Sequence, residues 1–155
     1  MRKTFFYRLG VSVALLTGLS PCLGGSPGGK NDYFKGKVVP LATVLEKAGV
    51  NLDPDAAALS MALVSEDGKA FPLVKDTSSR MFYLDKRVRD RPMRLTGRLV
   101  ADGKMLQVVN VHSYKDGQLC DIYYWCDICA IRMSELRKCD CCGGPIELRE
   151  EPLKK

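Results

Sequence analysis

The chain has 155 residues, 46% of them hydrophobic and 27% charged, which leaves room for one ordinary domain with a small appendage and excludes a generally disordered polypeptide. Its formal charge is +6 from 24 basic and 18 acidic residues, but three of the basic ones (Arg2, Lys3 and Arg8) lie within the first 24 residues. Without them the balance is 21 to 18, or +3, which is weak evidence for a nucleic-acid partner.

Residues 1–24 read as an export signal: a basic start, an apolar run over 9–19 and small residues beyond it. The apolar run spans about eleven residues, short of the length a transmembrane helix needs. Leu19-Ser20-Pro21-Cys22 resembles a bacterial lipobox, which would make Cys22 the lipidated first residue of the mature protein. The sequence departs from that pattern at Pro21, where Gly, Ala or Ser is usual. Cleavage after Gly24, with Cys22 and Gly24 as the small residues, is the alternative, and an uncleaved anchor is a third. Each route places the working domain outside the cytoplasm, in the periplasm or cell envelope or secreted. Residues 25–32, rich in Gly and Ser, read as a tether.

The body begins near Tyr33. Residues 34–39 alternate as a first strand, and Leu41, Val44, Leu45 and Ala48 then recur at helical spacing up to Gly49. Residues 51–55 form a loop. Two hairpins follow. In the first, residues 59–64 and 70–75 flank Asp67-Gly68; in the second, residues 93–100 and 105–112 flank Asp102-Gly103. Between the hairpins, Met81, Phe82, Leu84 and Val88 predict a helix over 79–90, ended by Pro92. Five strands with one short helix between the third and fourth is the order of an OB-fold, a small closed or partly open barrel. The segments Gly36–Val39, Ser65–Lys69 and Arg94–Val100 resemble small exported bacterial OB-like domains, and the resemblance implies a mainly β, five-stranded OB-like barrel over residues 33–118. The tail from Glu147 is charged and is expected to fray, with residues 150–155 outside the folded modules.

Residues 119–149 hold the strongest motif. Cys126-x2-Cys129 and Cys139-x2-Cys142 are two C-x-x-C hooks, with Cys141 inside the second and Gly143-Gly144 after it. Four soft thiolates suit Zn2+, which favours a closed tetrahedron of such ligands. The hooks resemble the two knuckles of a zinc ribbon, and that resemblance implies Cys126, Cys129, Cys139 and Cys142 as ligands of one structural Zn2+. Two features depart from the family. The nine-residue spacer is short, so any strand between the hooks must be very short, and Cys141 is an additional thiol that could replace Cys142, join a second metal or stay free. Ile128, Ile131, Met133, Leu136, Ile146 and Leu148 would cover the site and pack it onto the barrel. Beyond the cytoplasm thiols tend to oxidise, and the six cysteines after the signal (Cys120 is the sixth) permit three disulfides. Disulfides, Cu(I) and an iron site therefore remain alternatives to Zn2+.

The other candidates have plainer readings. His112, the sole histidine, sits on a strand without catalytic partners in sequence. The basic run from Arg80 to Arg98 suits a solvated face, or attraction to a membrane surface or an acidic envelope partner, more than nucleic acid. Tyr114, Tyr123, Tyr124 and Trp125 read as packing between barrel and knuckle. No Ser/His/Asp set, paired-carboxylate motif or phosphate-cradling loop appears, so no catalytic residue is assigned. The reading is an exported, non-catalytic envelope binding or scaffold protein. A metal-handling chaperone or sensor and a thiol–disulfide redox protein are its rivals; the redox reading lacks the βαβ context a reactive C-x-x-C needs.

Overall fold

Apolar residues at every second position set the sheet. In a computed structural model, which describes residues 30–53 and 59–153, β1 (Asp32–Pro40) turns Phe34, Gly36 and Val38 inward and leaves Tyr33, Lys35 and Lys37 exposed. The export signal, Cys22, most of the tether, Pro54, Asp55 and the last two residues lie outside the described residues. Helix α1 (Leu41–Lys47) follows directly and closes where Gly49 takes a φ of +79°, a conformation that favours glycine.

Strands β2 (Met61–Ser65) and β3 (Ala70–Pro72) form the first hairpin. The turn is closed by the Ser65 N–H donating to the Lys69 carbonyl at 2.8 Å, with Gly68 at a φ of +81°. Gly36 of β1 faces β2, and a Cβ at that position would run into the Val64 carbonyl.

The helix expected over 79–90 is instead two short pieces, α2 (Met81–Leu84) and a 3-10 turn over Lys86–Val88. Asp85 breaks them apart. Its backbone is extended, and its carboxylate turns inward to accept the Arg87 N–H at 2.9 Å, capping the second turn. Pro92 ends no helix; it opens β4 (Pro92–Val100), which pairs with β5 (Met105–Lys115), and β5 with β6 (Gln118–Cys126). Beyond these, β7 (Ile131–Met133) and β8 (Glu147–Pro152) both pair with β6. The segment expected to fray at 150–152 is thus strand: Glu150, Glu151 and Pro152 are in register with Ile122, Asp121 and Cys120. Backbone pairing along β6 overrides the charge of that segment.

The eight strands make one antiparallel sheet in the order β3-β2-β1-β4-β5-β6-β7, with β8 on β6. The sheet curls so that Leu73, just beyond β3, meets Leu106 of β5 in an isolated parallel bridge, and the Val74 N–H donates to the Leu106 carbonyl at 3.0 Å. Among the described residues no continuous ladder closes this seam: the sheet is an open one of eight strands, wider than the five-stranded, closed or partly open barrel expected from the sequence. One hydrophobic core runs from Val38 and Leu63 through Phe82 and Leu95 to Tyr124 and Met133. Among the described residues no helix is long and apolar enough to cross a membrane.

One buried polar contact holds the α2 segment against β6. The fully buried Tyr124 hydroxyl donates to Asp85 Oδ2 at 2.9 Å, while the Arg87 guanidinium bonds both carboxylate oxygens at 2.8–3.1 Å. Burial alone would raise the Asp85 pKa, but the Arg87 and Tyr124 donors outweigh it and hold the carboxyl below its ordinary 3.8. A depressed carboxyl pKa stabilises the fold above the unfolded value, and that contribution is lost as pH falls through the folded value. Tyr124→Phe is therefore expected to cost about 1.5–3 kcal/mol at neutral pH, as for a hydrogen bond to a charged group. Urea unfolding should show this deficit at pH 7 and a smaller one below pH 3.8. Gly36→Ala should destabilise by roughly 1–3 kcal/mol, the usual range for overpacking, in the same assay.

Candidate metal centre

The first hook grows out of β6. Cys126, with 0% of its surface exposed, is the last residue of that strand and pairs with Ile131 of β7. The turn between them carries Cys129 and is made by Ala130 at a φ of +52°. β7 has three residues, as short as the nine-residue spacer requires. The second hook folds back on itself: the Gly143 N–H donates to the Cys139 carbonyl and the Cys139 N–H to the Gly144 carbonyl, both at 2.9 Å. Gly143 sits at a φ of +68°, the position where the sequence motif requires glycine.

Each hook aims backbone donors at its own first sulfur. The N–H groups of Ile128 and Cys129 point at Cys126 Sγ, and those of Cys141 and Cys142 at Cys139 Sγ. Gly144 N–H lies 3.4 Å from Cys142 Sγ. Such donors stabilise sulfur carrying negative charge.

The two hooks bring the sulfurs of Cys126, Cys129, Cys139 and Cys142 within 4.8 Å of one another, with Cys126 and Cys142 at 3.6 Å. A tetrahedral ion with metal–sulfur bonds of about 2.3 Å requires sulfurs about 3.8 Å apart, whereas a disulfide requires about 2.05 Å. The four thiols therefore stand close enough to hold a metal ion, and the six described cysteines form no disulfide. Cys120 lies outside the group, buried on β6 with its thiol directed to the Gln118 carbonyl. Cys141 is exposed and is not one of the four sulfurs that converge.

The crowding has an electrostatic signature. The Cys142 N–H, opposed by burial and helped by the Cys141 N–H, brings the Cys139 thiol down to about 7. Cys129 moves the other way, pushed well above its ordinary 9.0 by the neighbouring Cys141 and Cys142 thiols and by burial. Cys126 also rises: the Cys129 N–H is the largest single influence and lowers it, but burial and the Cys139 and Cys142 thiols prevail. One sulfur is ready to ionise while its neighbours resist joining it. A cation removes that repulsion, so the donor set fits a soft metal ion.

Ion pairs tie the first hook to β8 and the second to the α2 segment. Glu135, only 7% exposed, accepts from Arg80 beside α2 at 3.3 Å and from Arg137 at 3.0 Å; Arg137 also reaches Asp140 at 2.5 Å. Arg149 of β8 pairs with Asp127 of the first hook and stacks over Trp125, 5.2 Å from the ring centroid. Met133 is buried in the shared core, with Leu136, Ile146 and Leu148 packed against it. Ile128, expected to cover the site, is 73% exposed, because the tight hook turn points it outward.

The remaining candidates find ordinary places. His112 is buried on β5 between Arg94 of β4 and Asp121 of β6; burial first, then the Arg94 charge, lowers its pKa. Much of the basic run works within the fold: Arg87 on Asp85, Arg91 on Glu150, Arg98 on Gln107, and Arg89 on the carbonyls of Phe82 and Tyr83. Tyr124 is core and Tyr123 is 7% exposed, with Arg132 stacked 4.1 Å from its ring centroid. Sequence reasoning missed Asp85 and Glu135, since an isolated acid in a charged segment carries no mark of burial.

No family model matches this chain, and no curated protein or solved structure is significantly similar to it.

Glu135→Ala removes the acceptor shared by Arg80 and Arg137 without touching a ligand. The variant should fold and lose about 10–100-fold in metal affinity, the range found when support around a site is removed, as read by chelator competition. Because the ligands bind as thiolates, metal should also be released as pH falls below neutrality.

Proposed function

We propose that this chain is an exported, non-catalytic binding or scaffold protein of the bacterial cell envelope, in which an OB-like barrel carries a zinc-ribbon-like knuckle closed on one structural Zn2+. The observation that carries the reading is the convergence of the Cys126, Cys129, Cys139 and Cys142 sulfurs within 4.8 Å. Four thiolates fill a tetrahedron and leave no position for water or substrate, which suits a metal that holds the chain together. With so few apolar residues around the hooks, a bound metal worth about 10–16 kcal/mol outweighs local packing.

The OB-like reading draws support from the seam between Leu73 and Leu106. It lets a path run β1-β2-β3-β5-β4 and return to β1, with α2 between β3 and β4, as in a partly open barrel. A binding role is supported by two cavities of about 680 and 520 Å³ that share Gly36 and Lys37 of β1 and Glu66 of the β2–β3 turn. The pattern of residues 1–24 is the basis for export, with Cys22 as the lipidation candidate. An acidic envelope surface is a weaker proposal for the partner, because so many of the arginines of the basic run already have internal partners.

Metal analysis combined with thiol titration on the purified full chain tests this. One zinc per chain is expected, with loss of metal and unfolding of the knuckle in Cys126→Ser and in Cys139→Ser. Metal-free protein lacking free thiols would refute it. Copper held in preference to zinc would move the assignment to metal delivery, and a hook that cycles between dithiol and disulfide would make the protein a redox carrier.

A further inference from the structure

The basic run leaves one guanidinium without a counter-charge. Arg80, Arg87 and Arg91 meet carboxylates, Arg89 meets carbonyls and Arg98 meets an amide oxygen. Arg94 meets no oxygen among the described residues, and its buried Nε has no hydrogen-bond partner. Its guanidinium lies 4.9 Å from the centroid of the Tyr33 ring, on the outward face of the sheet. Register places Lys35 of β1 opposite Arg94 on that face, and His112 of β5 on its other side. Lys35 is exposed and has no ion pair among the described residues. His112 is 8% exposed, and its Nδ1 is a second buried atom without a partner. The acid next in the row, Asp121 of β6, is already taken by both Nη atoms of Arg132 at 2.6 and 2.8 Å. Like charges facing each other on adjacent strands destabilise a sheet, and a buried polar atom without a partner calls for a cause. An anion supplied from outside answers both.

An apolar trough adjoins this row. The cavity of about 520 Å³ is bordered by Lys35, Pro92 and Tyr114. Pro92 and Tyr114 stand two residues from Arg94 and His112, so strand alternation puts them on the same face. Through Gly36, Lys37 and Glu66 this cavity meets the one of about 680 Å³, whose walls include Val39, Val64 and Val44 of α1. Two adjoining apolar cavities that cross β1 suit a flexible unbranched chain more than a compact rigid ring. Lys37 is paired with Asp90 at 3.4 Å, whereas Glu66 has no ion pair among the described residues. Glu66 therefore repels an anion at the junction, and the place left for a negative head group is the Lys35–Arg94 row.

We propose that this face binds a single-chain amphiphile with an anionic head group, the head between Lys35 and Arg94 and the apolar chain in the trough. This rests on the binding role proposed above and is independent of the metal.

Displacement of the fluorescent probe dansyl-undecanoate from the purified full chain provides the test. Laurate should displace the probe, and dodecanol should do so about tenfold more weakly for want of a charge. Dodecylamine and inorganic phosphate should not compete. Arg94→Gln should weaken laurate about tenfold, as for a hydrogen-bonded charge, and Lys35→Gln about threefold, as for an exposed pair, with dodecanol unchanged in both. Val64→Ser should weaken laurate and dodecanol alike. Urea unfolding followed by Trp125 fluorescence checks each fold, and Lys35→Gln should raise the midpoint of the ligand-free chain because it removes a repulsion. Equal displacement by laurate, dodecanol and dodecylamine refutes the anionic head group but leaves a binding role standing. Unchanged laurate binding in Arg94→Gln does the same; should that variant not fold, Lys35→Gln, at an exposed side chain, decides. Displacement by phosphate as readily as by laurate refutes the chain. A folded protein that binds neither the probe nor any of these ligands overturns the binding role of the two cavities itself.

Discussion

Strand β6 is the constraint on which the rest of the structure depends. Its residues pair with β5 at one end, with β7 at the other and with β8 along the opposite edge, and its last residue is Cys126. Tyr124, two residues earlier, enters the core and reaches Asp85. Backbone hydrogen bonding on both edges leaves the strand little freedom, so the first sulfur of the hook inherits the rigidity of the sheet. A site on a regular element is held more precisely than one on a loop. The second hook lacks such a strand and relies on its own backbone hydrogen bonds, reinforced by the Glu135 ion pairs.

Charge plays two distinct roles around this spine. At Asp85 a buried carboxylate is fully partnered by a guanidinium, a backbone N–H and a phenol, so burial does not cost it its ionisation. At the cysteine cluster the opposite holds. Several potential anions converge with too few donors among them, and the imbalance is relieved by a cation. The first arrangement is complete within the protein, and the second calls for a ligand.

What could be read from the sequence follows from which interactions are local. The hairpin turns at Gly68 and Gly103 and the end of α1 at Gly49 were legible because glycine, and the turn residues beside it, act over a few positions. The region over 79–90 was misread because the helical spacing of its apolar residues is real. The preference was overridden by Asp85, whose partner Tyr124 lies 39 residues away. The segment at 147–152 was misread for a similar reason. Its charges suggest solvent, yet it has an available edge on β6, and that edge supplies the hydrogen bonds that make it a strand.

Sequence by itself determined the chemistry of the candidate site. Two C-x-x-C hooks present sulfurs in pairs, and glycine after the second lets the backbone turn beneath them; both are effects of covalent spacing and of φ/ψ limits. Tertiary structure alone decided which sulfurs converge, that Cys120 stands apart although it lies only six residues before Cys126, and that Cys141, exposed, is not among the four. It also decided that the sheet curls without closing and that β8 returns to β6. The physical reason is range. Turn and ligand spacing are settled between near neighbours, whereas convergence depends on pairing and burial between residues far apart in the chain, to which no local pattern points.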